Sequence, residues 1–177
     1  MKKLEERLIE TFGTTGFFEH KKIKFSDVII TQDVFNQCER NICGNFGKNH
    51  ACPPKAGSEE VRVARVEKYD DAYLVNIVLS IKNREDMMNS GVLFNEATSK
   101  LRKVFENDDV FVMGAGPCTI CEKCSALEEE PCRFPEKTQY SMEGCGIDVM
   151  RMSMNFKMTY NAGMGNAAFF CLVLYRP

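Results

Sequence analysis

Apolar residues at Leu4, Leu8, Ile9 and Phe12, set among charges, predict a short amphipathic helix over 2–12 that ends at Gly13 and Gly16. Residues 25–30 turn apolar and β-branched and read as a strand. Ser58, followed by Glu59, Glu60 and Val61, has the composition of an N-cap and an acidic first turn, opening a helix that runs to about Tyr69. The strongest strand signal is 72–81, whose near-continuous apolar run suits a central strand covered on both faces. Leu93, Phe94, Ala97, Leu101, Val104 and Phe105 place a long helix over 85–106, with Gly91 as a point of interruption. A second buried strand follows at 110–113, then helical pieces over 140–154 and a last strand at 167–175.

Strand, long helix and strand in succession make a βαβ unit, so 72–81 and 110–113 should run parallel. The expected fold class is therefore α/β, with α+β as the alternative: a single mixed sheet with a βαβ unit and helices packed on it. At 177 residues and 44% apolar content the chain suits one domain, 1–177, with a full core. No internal repeat or low-complexity linker divides it. The periodicity fails in 31–57, rich in Cys, Asn, Gly and Pro, and again after the Gly114-Ala115-Gly116-Pro117 turn. These two cysteine-rich loops are insertions with little core of their own, so bound metal would order them.

A net charge of −2 provides no basic field for nucleic acid or an anionic membrane, and the run Lys21, Lys22, Lys24 reads as a solvated edge. The first residues lack the apolar stretch of a signal peptide, and the longest apolar run, 167–175, is too short to span a bilayer. A soluble, cytoplasmic protein is the expectation. Against that background, nine cysteines are the main anomaly, because a reducing compartment disfavours disulfides and turns clustered cysteines toward metal or redox chemistry.

Seven of the nine fall into two groups, Cys38/Cys43/Cys52 and Cys118/Cys121/Cys124/Cys132. The spacing C-x2-C-x2-C at 118–124 puts three soft thiolate ligands on one tight loop, as in proteins that hold a cubane iron–sulfur cluster. Structural zinc more commonly takes its cysteines in separate pairs and is the alternative. Cys132 arrives after seven residues rather than three, so it either completes the same cluster or reaches the other site. The first group offers only three cysteines, with Pro53 after Cys52 steering the turn. Its fourth ligand is Cys145, Cys132 or His50, or one iron stays open. A fully ligated cluster passes electrons, whereas an open iron can polarise a substrate as a Lewis acid.

The remaining signals are weaker. Cys171, inside Phe169-Phe170-Cys171-Leu172, reads as an inert core thiol, His20 as a surface residue, and the ten methionines as core filler. His50 reads as a hydrogen-bonding or stacking residue before it reads as a ligand. Gly114-x-Gly116 lacks the third glycine and following helix of a dinucleotide fingerprint; its glycines instead allow backbone amides close to a cluster. Cys121-x2-Cys124 as a redox dithiol is disfavoured by the third cysteine at 118. No Ser/His/Asp, HExxH or phosphate-loop pattern is present.

Cys38-x4-Cys43 leading into Phe46-Gly47-Lys48-Asn49-His50-Ala51-Cys52-Pro53-Pro54, then Gly114 to Cys124, Pro131-Cys132-Arg133-Phe134-Pro135, Ser141-Met142-Glu143 and Gly146-Ile147-Asp148-Val149 together resemble an uncharacterised "predicted metal-binding protein" family, largely of anaerobic bacteria and archaea. The resemblance covers the chain from about residue 25 onward. It implies metal binding by the seven clustered cysteines and no particular reaction. In that family position 145 is usually not cysteine, which weakens Cys145 as a general ligand. The expected protein carries two sites, favoured as [4Fe–4S] clusters, and acts in electron transfer or as a redox accessory to a larger enzyme. Its partner would be a redox protein or a small-molecule substrate, without nucleic acid or membrane; homo-oligomerisation is left open. An enzyme with an open iron at Cys38/Cys43/Cys52 and a zinc-stabilised binding module are the alternatives.

Overall fold

A computed structural model describes residues 3–176. One four-stranded sheet, in the order β1-β2-β4-β3, organises the chain. Its strands are β1 (Glu19–Lys24), β2 (Asp71–Ser80), β3 (Val110–Met113) and β4 (Asn166–Tyr175). The helices are α1 (Leu4–Thr15), α2 (Gln32–Glu39), α3 (Glu59–Glu67), α4 (Arg84–Val104) and α5 (Val149–Asn155).

The α/β class and the single sheet hold, and the apolar runs fall where the pattern put them. β2 alternates between two cores: Tyr73, Val75 and Ile77 face one way, Ala72 and Leu74 the other. On the first face, α1 contributes Leu8 and Phe12, and α4 contributes Phe94, Ala97 and Leu101. The second face is covered by Val66 of α3, Met152 of α5 and the turn carrying Met142, Cys145 and Ile147. Cys171 lies fully buried on the first face beside Val173 and Tyr175, the inert core position expected of it. Burial pushes its thiol pKa up to about 12.

Several expectations change in detail. β2 and β3 do run in the same direction, but β4 inserts between them and is antiparallel to both. The unit is a split βαβ, and the sheet is antiparallel rather than mixed. Among the described residues parallel pairing is confined to the lone bridge of Gly114 with Ser141. A four-residue β3 cannot bury the long apolar β2 by itself, whereas the ten-residue β4 matches β2 along its full length.

The first strand lies at 19–24, not 25–30. Only Ile23 of β1 is buried, so the period-2 signal is nearly absent, and the lysine run forms the solvated outer edge of the sheet. Residues 25–27 make a single 3-10 turn, and Ile30 forms only a bridge to Ile147. α1 continues through Gly13 to Thr15, and Gly16 caps it in the left-handed region; Lys2, where that helix was expected to begin, lies outside the described residues. α4 passes Gly91 unbroken. The first cysteine loop opens with a helix, α2, whose eight residues are too few for a clear periodicity although Val34 and Phe35 form its buried side.

Candidate metal centre

The second cysteine loop is pinched at its base. Gly114 N donates to Tyr140 O at 3.3 Å and Met142 N to Gly114 O at 3.0 Å, so residues 115–139 form one closed excursion from the end of β3. Within it Ser125 Oγ donates to Pro131 O, Arg133 Nη1 to Lys123 O, and both Thr119 N and Thr119 Oγ1 to Gln139 Oε1. These bonds fold the loop so that Cys118, Cys121, Cys124 and Cys132 line one cavity of about 20 Å³, with Asn49, His50, Ile120 and Phe134. Cys132 thus joins the other three rather than the first group. Its Sγ lies 3.6 Å from the Thr138 hydroxyl. None of the nine cysteines is in a disulfide.

Cys38 rides on the last turn of α2, while Cys43 and Cys52 sit in the turns that follow, Cys43 exposed and the other two partly buried. A buried asparagine joins this group to the second. Asn49 Nδ2 donates to Cys118 O at 3.0 Å, Asn49 Oδ1 accepts from Ala51 N at 2.9 Å, and Cys52 N donates to Asn49 O at 3.0 Å. Next to it, His50 Nε2 donates to Glu130 O at 2.9 Å, the hydrogen-bonding role expected of it, and its ring lines the four-cysteine cavity. Two groups of cysteines 66 or more residues apart in sequence are therefore held in one structure.

The electrostatics carry the same message. Burial, then Cys43, Cys38, Cys118 and Cys124, push the Cys52 pKa up to about 12. Cys52 therefore feels thiols of both groups at once. Cys38 is also raised, by burial first and then by the charge of Glu143. Thiolates crowded in this way cannot all ionise without a compensating cation, and metal binding displaces the protons that repulsion retains.

Two arginines of α3 bring fixed positive charge to this region, Arg62 toward Cys38 and Arg65 toward Cys145. Arg62, 5% exposed, donates through Nη1 to Gly144 O at 2.6 Å and lies over the Phe35 ring. Arg65 stacks on Tyr140 at 3.7 Å and donates through Nη2 to Ala56 O, but its buried Nη1 has no hydrogen-bond partner. Among the described residues neither forms a salt bridge. A buried and a half-buried guanidinium without carboxylates suit an anionic group held nearby. Cys145 is buried within the second core beside these arginines; burial, opposed by Arg65 and Arg62, takes its pKa up to about 11.

The donor set fits a thiolate-bound metal group: seven free cysteines in two adjoining loops, with buried counter-charge. Among the described residues no three His, Cys, Asp or Glu side chains converge on one point as they would around a single ion. The four cysteines of the second group are instead shared out along the wall of one cavity. A larger cleft of about 620 Å³ runs along the outer edge of β3, lined by Arg102, Phe111 and Gln139 among others, and shares Ile120 and Thr138 with the four-cysteine cavity.

The family described as "Predicted metal-binding protein (DUF2284)" has a sequence pattern that matches residues 21–175. The chain belongs to this family. No curated protein and no solved structure matches it. The match covers both cysteine loops and the sheet except the first two residues of β1, and it makes metal binding the common theme without naming the metal. Asn49, Arg62, Arg65 and Glu143 had drawn no functional reading of their own from the sequence. The available signal was a pair of arginines at 62 and 65, next to Val61 and Val66 on a short helix. Only the fold shows that these positions turn toward the cysteines. Among the described residues no helix is long and apolar enough to cross a membrane.

Proposed function

We propose that this chain is a cytoplasmic iron–sulfur protein that moves electrons, either as a small carrier or as an accessory to a larger enzyme. Cys118, Cys121, Cys124 and Cys132 would hold one [4Fe–4S] cluster, and Cys38, Cys43 and Cys52 a second. The observation that carries this reading is that four free cysteines line one cavity, with Cys52 of the other group electrostatically in reach of Cys118 and Cys124. When bound, such clusters supply one-electron redox chemistry, with potentials set by hydrogen bonding, charge and solvent exposure.

The protein's own part is positional. Asn49 fixes the Cys118 backbone against the Cys52 turn, and Arg62 holds positive charge beside Cys38. The cleft along β3 borders the four-cysteine cavity, so a redox partner or small acceptor bound there would lie next to the outer cluster. One observation favours a second reading. The first group has three cysteines, and a position without a cysteine permits substrate binding, which would make the protein an enzyme fed by the other cluster.

Purification without oxygen, followed by iron, sulfide and zinc analysis and a visible spectrum, tests the proposal. Two cubane clusters correspond to about eight irons and eight sulfides per chain, with broad visible absorption that bleaches on reduction. Replacing Cys118 and Cys124 with Ser should halve both contents. Stoichiometric zinc without colour would refute the redox role and leave a zinc-stabilised binding module.

A further inference from the structure

We infer that the Glu143 carboxylate is the fourth ligand of the Cys38/Cys43/Cys52 site, giving that site three sulfurs and one oxygen. The inference rests on the metal-binding reading above and assigns the position that the cysteine count leaves open.

The turn that carries Glu143 is wedged between the two segments bearing the cysteines. On one side it packs against α2: Thr31 N donates to Gly146 O at 2.9 Å, and Gly146 lies directly against the Phe35 ring, one turn before Cys38. On the other it meets the Cys52 loop, where a Cβ added at Gly144 would stand 3.7 Å from Ala51 O. Arg62 closes the arrangement from α3 through its 2.6 Å bond to Gly144 O. The turn that carries Glu143 is thus held between α2, the Cys52 turn and a buried guanidinium.

Its carboxylate accepts from the Ser141 hydroxyl and from its own backbone N–H, yet one oxygen is left over. Oε2 is buried and has no hydrogen-bond partner. A buried carboxylate oxygen without a donor is costly unless it is protonated or binds a cation, and an unplaced ion is one of the few explanations for such an atom. Oxygen beside sulfur is a workable donor set for iron and for zinc alike.

The alternatives are committed elsewhere. Cys132 and His50 line the four-cysteine cavity. Cys145 packs in the second core with Met142 and Ile147, beside Arg65. A hard carboxylate oxygen is also a weaker hold on iron than a thiolate, so this corner of the site is the one that exchanges with an incoming ligand.

The test compares the wild-type protein with Glu143→Gln, Glu143→Ala, Glu143→Cys and Cys145→Ala, all purified without oxygen. Readouts are iron and sulfide content, electron paramagnetic resonance and Mössbauer spectra, with circular dichroism as the folding control. The Gln variant preserves the shape of the side chain and keeps the comparison valid if Ala disturbs the turn. The expected result is loss of about one iron in the first cluster in the Gln and Ala variants, with the signal of a three-iron cluster. The second cluster should be unchanged, Cys145→Ala should match wild type, and Glu143→Cys should restore the fourth iron. Wild-type iron content and spectra in folded Glu143→Gln would overturn the assignment, as would loss of the iron in Cys145→Ala instead. Should wild type hold zinc, the redox reading fails separately and zinc X-ray absorption decides the ligand. An oxygen shell that disappears in Glu143→Gln supports the assignment, and an unchanged shell overturns it. A wild-type chain that takes up no metal at the first site overturns both.

Discussion

Gly146 is the point at which packing, backbone conformation and the first cysteine group meet, and Gly146→Ala tests that junction. The residue has φ +73°, a region that costs an L-residue about 1–2 kcal/mol. A Cβ there would stand 2.5 Å from both Cε2 and Cζ of Phe35, well inside contact distance. Neither partner can easily yield, since Gly146 O accepts from Thr31 N and the Phe35 ring carries the Arg62 guanidinium at 4.8 Å. Overpacking of this kind costs about 1–3 kcal/mol. The two effects sum to about 2–5 kcal/mol, or a Tm lower by roughly 5–20 °C for a chain of this size. Urea unfolding of the metal-free, reduced protein measures the first quantity and calorimetry the second. Phe35→Leu removes the clashing ring edge, so Gly146→Ala in that background should recover about 1–3 kcal/mol, the overpacking share, but not the backbone strain. Since Phe35 and Cys38 share α2, Gly146→Ala should also reduce metal at the first site and spare the second. A Gly146→Ala protein within about 0.5 kcal/mol of wild type, or no coupling to Phe35→Leu, would refute the reasoning.

Three further outcomes are expected. Asn49→Ala removes the strut between the loops and leaves Cys118 O and Ala51 N without their partner; it should cost about 1–3 kcal/mol and lower metal retention at both sites, read by chelator competition. Glu19 accepts from Thr159 N at 2.8 Å, Thr159 Oγ1 at 3.0 Å and Asn76 Nδ2 at 2.7 Å, holding the segment before β4 against β1. Burial alone would raise its carboxyl pKa, but these donors outweigh burial and lower it. Because the folded value lies below the unfolded one of about 4.3, the stabilisation is complete above that pH and is lost as pH falls through the folded value; Glu19→Gln should cost about 1–2 kcal/mol at pH 7 and much less at pH 3, by urea unfolding at each pH. Finally, Cys52, Cys145 and Cys171 are raised to about 12, 11 and 12, mainly by burial. Groups with raised folded pKa values stabilise below the unfolded thiol pKa of about 8.5 and lose that contribution as pH rises toward the folded values. The metal-free protein should lose stability above about pH 9, and metal uptake, followed with a pH indicator, should release protons.

What the sequence determined by itself was local or carried by covalent spacing. The apolar run of 72–81, the 21-residue α4 and the Ser58 N-cap of α3 appear where the pattern placed them, because burial and capping act over a few residues. The C-x2-C-x2-C run was equally legible, since three thiols so close in sequence share a loop in any fold. β1 was not, because an edge strand with one buried residue, Ile23, leaves almost no period-2 trace. The tertiary structure alone decided that β4 enters between β2 and β3, as a full-length partner buries more of β2 than a four-residue strand can. It alone assigned Cys132 to the cavity of Cys118, Cys121 and Cys124, and joined the two cysteine loops through Asn49. And it alone brought Arg62 against the turn that carries Glu143, 81 positions away in the sequence. Such pairings depend on how three chain segments close over one sheet face, and nothing in the local pattern of residues records them.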